Sequence, residues 1–265
     1  MNKALFIQGW KSNYKFLIAF CAILTMYFVV MITMYDPELE NALNQFAQSM
    51  PEVMSMFGMV QANSTLIGFL STYLYGMLML VFPMIFTIML AIRLISKQVD
   101  NGFMGYLLAT PNSRTKVSIT QMMVILSSLT TLILYCMIIG ILGSEVLFPG
   151  ELDILGFINL NIGVLILHIS LASIFFLISC IFNESRSSTF LASGIAIVFY
   201  LIQMLANMGG NLENLKYATI FTLFNSEQLI ACNCDAYYKL ILLIILAFLS
   251  FSSGIYIFKK KDMPL

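Results

Sequence analysis

Residues 96–116 read SKQVDNGFMGYLLATPNSRTK, a polar stretch set between two long apolar runs, and the reading of the whole chain turns on it. The spacing predicts a short helix over 103–110, with Phe103, Tyr106, Leu107 and Thr110 on one face. Asn101 suits the cap at its start. Pro111 has no N–H to continue the helix and pushes Thr110 toward an extended backbone, so the helix stops before Asn112, Ser113 and Arg114 turn the chain. A short amphipathic helix of this kind, lying on a membrane's inner face, can press on a partner.

Outward from this stretch the chain is mainly apolar. Of 265 residues, 60% are hydrophobic and only 10% charged, with a mean hydropathy of +0.93. A water-soluble fold would have too little polar surface to cover such a core, which predicts an integral membrane protein. Crossing ~30 Å of hydrocarbon takes about 20 mainly apolar residues. Six such runs are present, and six spans are expected at 16–35, 73–95, 117–142, 160–182, 189–208 and 238–258. The fold class expected is all-α, a single transmembrane domain over 1–265.

The formal net charge is zero, but the charges are sorted. Lys3, Lys11 and Lys15 precede the first span; Arg93, Lys97, Arg114 and Lys116 surround the central stretch; Arg186 lies between spans four and five; Lys259, Lys260 and Lys261 follow the sixth. Only Lys216 and Lys239 fall in the alternate loops, where the acidic residues Asp36, Glu52, Glu145, Glu151, Glu213 and Glu227 collect. The positive-inside rule then places both termini and residues 96–116 in the cytoplasm of a cell whose plasma membrane holds the protein. The first apolar run is too long for a cleavable signal peptide and is expected to be retained. Cys21, Cys136 and Cys180 lie within spans as small hydrophobes, and Cys232 and Cys234 are too close for an unstrained bridge, so free thiols are expected.

At 99–114 the sequence VDNGFMGYLLATPNSR resembles the signature of type-2 ABC exporter permeases, with Asp100, Gly102, Leu107, Leu108, Pro111, Ser113 and Arg114 in the places of that family's acidic residue, glycine, Leu-Leu pair and Pro-x-Ser-Arg turn. Upstream of it, Lys97, Gln98 and Val99 stand where the family has a richer acidic cluster. The resemblance implies that 96–116 is a coupling segment docking on an ATPase subunit, through Asp100, Gly102, Phe103, Tyr106, Leu107, Leu108, Pro111, Ser113 and Arg114. It also implies an interfacial elbow helix at 1–15; an ordinary basic leader that only sets topology fits the same residues, with Leu5, Phe6, Ile7 and Trp10 among three lysines. Residues 209–237, with Leu215, Lys216 and Tyr217 before IFTLFNSEQLI, resemble the family's outer segment of short helices dipping into the leaflet, without its usual proline. A run such as 217–224 is too short to cross and too apolar to float free, so a re-entrant or interfacial placement is expected.

Further positions carry weaker signals. Asp36-Pro37 starts an expected outer helix, followed by Met50, Met54, Met56 and Met59, which read as adaptable packing or a soft-metal or cargo contact. Pro83 should kink the second span or free a carbonyl. Thr120, Gln121, Ser127, Ser128, Thr130 and Thr131 are too many polar groups for a lipid face and mark helix contacts or a pathway. His168, the single histidine, lies within the fourth span, where it serves either a substrate or proton role or a bond to a neighbouring helix. The possible pathway residues are therefore Gln121, Ser128, Thr131 and His168. Ala192, Ser193, Gly194 and Ala196 give the fifth span a small-residue face.

No phosphate-binding Gly-x-x-x-x-Gly-Lys loop is present, so ATP and Mg belong to a separate ATPase chain. There is no His-Glu-x-x-His and no Gly-x-Ser-x-Gly, and no catalytic residues, metal or cofactor of this chain's own are expected. The function expected is the permease subunit of an ABC exporter for a hydrophobic or amphipathic cargo, a peptide first, with two ATPase subunits, a second permease copy or related chain, and membrane lipid as partners, and no nucleic acid. A sodium or drug efflux permease of the same family, and a non-transporting immunity or sensor subunit, are the alternatives.

Overall fold

Six apolar runs become six long helices in the computed structural model, which describes residues 2–36, 49–58, 65–109 and 112–261, with the side chains of 108, 109 and 211 outside that description. In chain order the described helical elements are α1 (Lys3–Thr33), α2 (Pro51–Met56), α3 (Leu66–Tyr73), a π-helical turn Leu74–Leu78, α4 (Met79–Leu94), α5 (Ser96–Asp100), α6 (Phe103–Ala109), α7 (Arg114–Leu147), α8 (Ile154–Ile181) and α9 (Ser185–Asn207). Two 3-10 helices, Gly210–Ala218 and Ile220–Leu223, then α10 (Ser226–Ile230) and α11 (Cys234–Lys260) complete the described chain. Among the described residues, six segments are long and apolar enough to cross a membrane: α1, Leu66–Asp100, α7, α8, α9 and α11. The protein is a multi-pass, all-helical membrane protein, with no strand among the described residues.

Several helices begin earlier than the apolar runs do, because a capping side chain rather than hydropathy sets the first turn. Thr65 accepts from the Gly68 N–H and starts α3 seven residues before the expected Tyr73. Asp153 accepts from the Gly156 N–H and starts α8 six residues before Leu160. The expected elbow is helical but has no boundary at Phe16: Asn2 caps α1 by accepting from the Ala4 and Leu5 N–H groups, and with no proline in between the helix runs on to Thr33. The helix expected after Asp36-Pro37 falls at 37–48, outside the described residues, as does Met59; α2 carries Met54 and Met56.

α8 is the hub, packing against α4, α7, α9 and α11, while α1 lies along α7. Several of its polar side chains tie it to neighbouring helices: Asn161 accepts from the Tyr75 hydroxyl at 2.9 Å, and Ser170 donates to the Leu243 carbonyl at 2.6 Å. In hydrocarbon such groups have no water to turn to, so they specify which helix faces meet. Gly140 allows α1, α7 and α8 to close: a Cβ there would come 2.5 Å from the Phe157 ring and 3.0 Å from Phe28. The outward faces of α1, α9 and α11 are exposed and apolar, with Phe190 80% and Phe248 72% exposed, which is the surface a bilayer covers. Of the small residues in α9, Ala192 and Ala196 are buried, whereas Gly194 has open space beside it.

Pro83 lies inside α4, where its missing N–H leaves the Met79 carbonyl without its intrahelical donor. His168 of α8 fills the vacancy, with Nε2 2.8 Å from the Met79 oxygen. A carbonyl can only accept, so the proton sits on Nε2, and the buried Nδ1 has no partner. The π-helical turn immediately precedes this point, so backbone irregularity and its repair lie within one stretch of the same span.

Candidate functional site

The segment between spans two and three is a small helix on a hydrogen-bonded mount. In α5, the buried Ser96 hydroxyl is hydrogen-bonded to the Ser188 hydroxyl at 2.7 Å and to the Ser179 carbonyl, which accepts, at 3.2 Å. At the other end of α5, Asp100 Oδ2 accepts from the Ser185 hydroxyl and, at 3.2 Å, from the Ser185 N–H. Asp100 therefore serves as a carboxylate cap on α9, where a negative charge also meets the helix's positive end. Asn101 closes α5 instead of opening the next helix, its N–H pointing back to Lys97 and Val99. Gly102 follows with φ +71°, a left-handed turn that reverses the chain with nothing around it.

On α6, Met104 is 1% exposed and Leu107 is half-buried against the core, while Phe103 is 45% and Tyr106 78% exposed. The outward face is thus formed by Phe103 and Tyr106, with Leu107 turned inward, a correction to the expected grouping. Hydrophobic spacing allowed more than one stripe on so short a helix, and the bundle end took Met104. Thr110 and Pro111 lie outside the described residues, and so does the side chain of Leu108.

Beyond α6, Ser113 caps α7 by accepting from the Lys116 N–H at 3.2 Å. The Arg114 guanidinium donates to the Lys261 carbonyl, and the Lys261 ammonium donates to the Phe182 carbonyl. Burial holds the Lys261 amine down at about 8. Asn2 is tied to the same region: its amide donates to Asn112 Oδ1 at 2.8 Å and its N–H to Thr120 Oγ1 at 2.9 Å. Ser113 and Arg114, picked from the sequence as docking residues, hold the turn and the end of α11 together. Ser96, Ser185, Lys261 and Asn2 carried no sequence signal for these roles, since each partner arrives from far along the chain.

The four pathway candidates occupy separate environments. Gln121 meets Gln98 at 3.3 Å beside an inner cavity. Ser128 is buried in α7, whereas the exposed Thr131 returns its hydroxyl to the Ser127 carbonyl at 2.8 Å. His168 lies against Met79.

Two recesses mark the bundle ends. The outer one, about 340 Å³, opens between the π-helical turn, α9 and the outer segment, with Tyr75, Tyr200, Gln203, Phe221 and Glu227 in its wall. The outer segment folds back on α9, Thr219 donating to the Phe199 carbonyl at 3.1 Å and Thr222 to Gln203 Oε1 at 3.1 Å. The inner cavity, about 220 Å³, lies among α1, α4, α5, α6 and α7. Among the described residues, no group of three or more His, Cys, Asp or Glu could hold a metal, and Cys232 and Cys234 are free thiols. No protein-family model matches this chain, and no curated protein is significantly similar to it.

Proposed function

We propose that this chain is the membrane permease subunit of an ATP-driven ABC exporter, working with a second permease copy or related chain and two ATPase subunits in a plasma membrane. The observation that carries this reading is the outward pair Phe103 and Tyr106 on α6, held on a mount that joins the second span to the end of α8 and the start of α9. Exposed aromatics anchored on a rigid base are what a docking partner needs. The sorted charges put that face on the cytoplasmic side, where ATP is, with both termini.

In this reading the ATPases close on ATP and push α6. The Ser96–Ser188 and Asp100–Ser185 bonds pass the push to α9, and α5 passes it to α4. The spans then tilt by alternating access or lateral extrusion, and the cargo leaves outward. The cargo is a hydrophobic or amphipathic molecule, a peptide first, because the spans offer mainly apolar and hydroxyl-bearing faces.

The test is whether an ABC ATPase from the same genome, encoded beside this chain if one is, co-purifies with it, comparing wild type with Tyr106→Asp. Tyr106 is the better probe than Leu107, which packs inward and would confound docking with folding. A charge in an aromatic anchor position should weaken association by about 2 kcal/mol, roughly 30-fold. Loss of the ATPase from a folded Tyr106→Asp protein supports the reading. If no ATPase accompanies either form, the exporter assignment fails and the immunity or sensor class replaces it.

A further inference from the structure

The inner cavity contains two buried acceptors with nothing to accept. Asn13 is 6% exposed and donates its amide to the Gly9 carbonyl at 2.8 Å, so it presents Oδ1 unpaired. Gln121, 1% exposed, donates to Gln98 Oε1 and leaves its own Oε1 unpaired. Both residues line the cavity. Buried polar atoms are rarely left without partners, so these point to a bound donor.

The cavity's mouth has the opposite character. An adjoining recess of about 360 Å³ shares Ser12, Arg93, Gln98 and Phe103 with it and adds Lys97 and Asn101. The exposed Arg93 guanidinium lies 5.3 Å from the Phe16 ring centroid. No Asp or Glu lines either recess among the described residues. The site therefore offers two cations at its entrance and two bare oxygens at its end. At about 220 Å³ the inner part has room for a small polar group larger than a single water.

We infer that this cavity binds a phosphate ester whose alcohol carries a hydrogen-bond donor, of the phosphoethanolamine or phosphoglycerol class. The phosphate meets Arg93 and Lys97, and the ammonium or hydroxyl donates to Asn13 Oδ1 and Gln121 Oε1. A choline ester, with no N–H or O–H on its alcohol, leaves both acceptors unpaired and is discriminated against. The same chemistry is offered by a phospholipid headgroup of the adjacent leaflet and by a free soluble ester. Because Phe103 of α6 forms part of the wall, an occupant also bears on the position of that helix. The inference does not depend on the exporter reading, since binding is measured without an ATPase.

The experiment is native mass spectrometry of the delipidated full chain titrated with phosphatidylethanolamine, phosphatidylglycerol and phosphatidylcholine of identical acyl chains. Wild type should bind the first two at least tenfold more tightly than the third. The doubly substituted Arg93→Gln, Lys97→Gln protein, altered only at exposed positions, should lose at least tenfold for all three. Gln121→Met should narrow the preference for ethanolamine over choline. Displacement of the bound lipid by excess glycerophosphoethanolamine identifies a soluble ester as the source, and failure of displacement identifies the membrane lipid; either supports the site. Equal binding of the choline lipid by wild type, unchanged binding by the Arg93/Lys97 double variant, or no binding of any of the three overturns it.

Discussion

Replacing His168 with leucine should expose the Met79 carbonyl inside the bundle, and the size of the effect should depend on Pro83. In an ordinary helix the N–H of residue 83 would bond the carbonyl of residue 79, but proline has none, so the histidine Nε2 at 2.8 Å is the donor seen there. Leaving a buried carbonyl unpaired costs about 1–3 kcal/mol, while hydrogen bonds between membrane helices average ~0.6 kcal/mol and reach ~1.7. His168→Leu should therefore destabilise by about 1–2 kcal/mol, or roughly a 5- to 30-fold shift in the unfolding equilibrium. Pro83→Ala restores the helical N–H, so the same His168→Leu change in that background should cost about 1 kcal/mol less. Denaturant unfolding in bicelles of wild type, both single variants and the double variant gives this coupling. A coupling below about 0.3 kcal/mol would refute the repair of the proline defect by histidine. A folded His168→Leu chain that retains full activity would also remove any enzymatic or proton-carrying role for His168.

Other consequences follow from the packing. Gly140→Val should overpack the junction of α1, α7 and α8, since even a Cβ would come 2.5 Å from the Phe157 ring; a loss of about 1–3 kcal/mol in the same unfolding assay is expected. Asp100→Ala removes the acceptor for Ser185 N–H and hydroxyl and should loosen the first turn of α9, visible as faster hydrogen exchange around 185–189. Lys261, held at about 8 against an ordinary 10.5 by burial, binds fewer protons folded than unfolded between those values. Stability should thus rise with pH from about 8 to 10.5, the full cost being present below that window; a Lys261→Met chain should lack this increment in a paired pH series.

Much of the architecture was legible in the sequence because it rests on local quantities. Six apolar runs of sufficient length predicted the six helices long enough to cross a membrane, and of the two consequences expected of Pro83 in mid-span, a kink or a freed carbonyl, the freed carbonyl is seen. The helix over 103–110 was expected from spacing and is found at Phe103–Ala109. Boundaries were less legible, since Thr65 and Asp153 cap helices well outside the apolar runs.

The sequence by itself determined how many apolar runs are long enough to cross a membrane and where polar segments interrupt them, because run length, proline and glycine act on the chain nearest them. Only the tertiary structure decided that Met104 and Leu107 turn inward while Phe103 and Tyr106 face out, that Asp100 caps α9, that His168 serves Met79, and that Asn13 and Gln121 share a cavity. These pairings join residues 85, 89 and 108 positions apart. A buried polar atom takes whichever partner the packed helix faces bring within about 3 Å, and no local pattern records which face arrives.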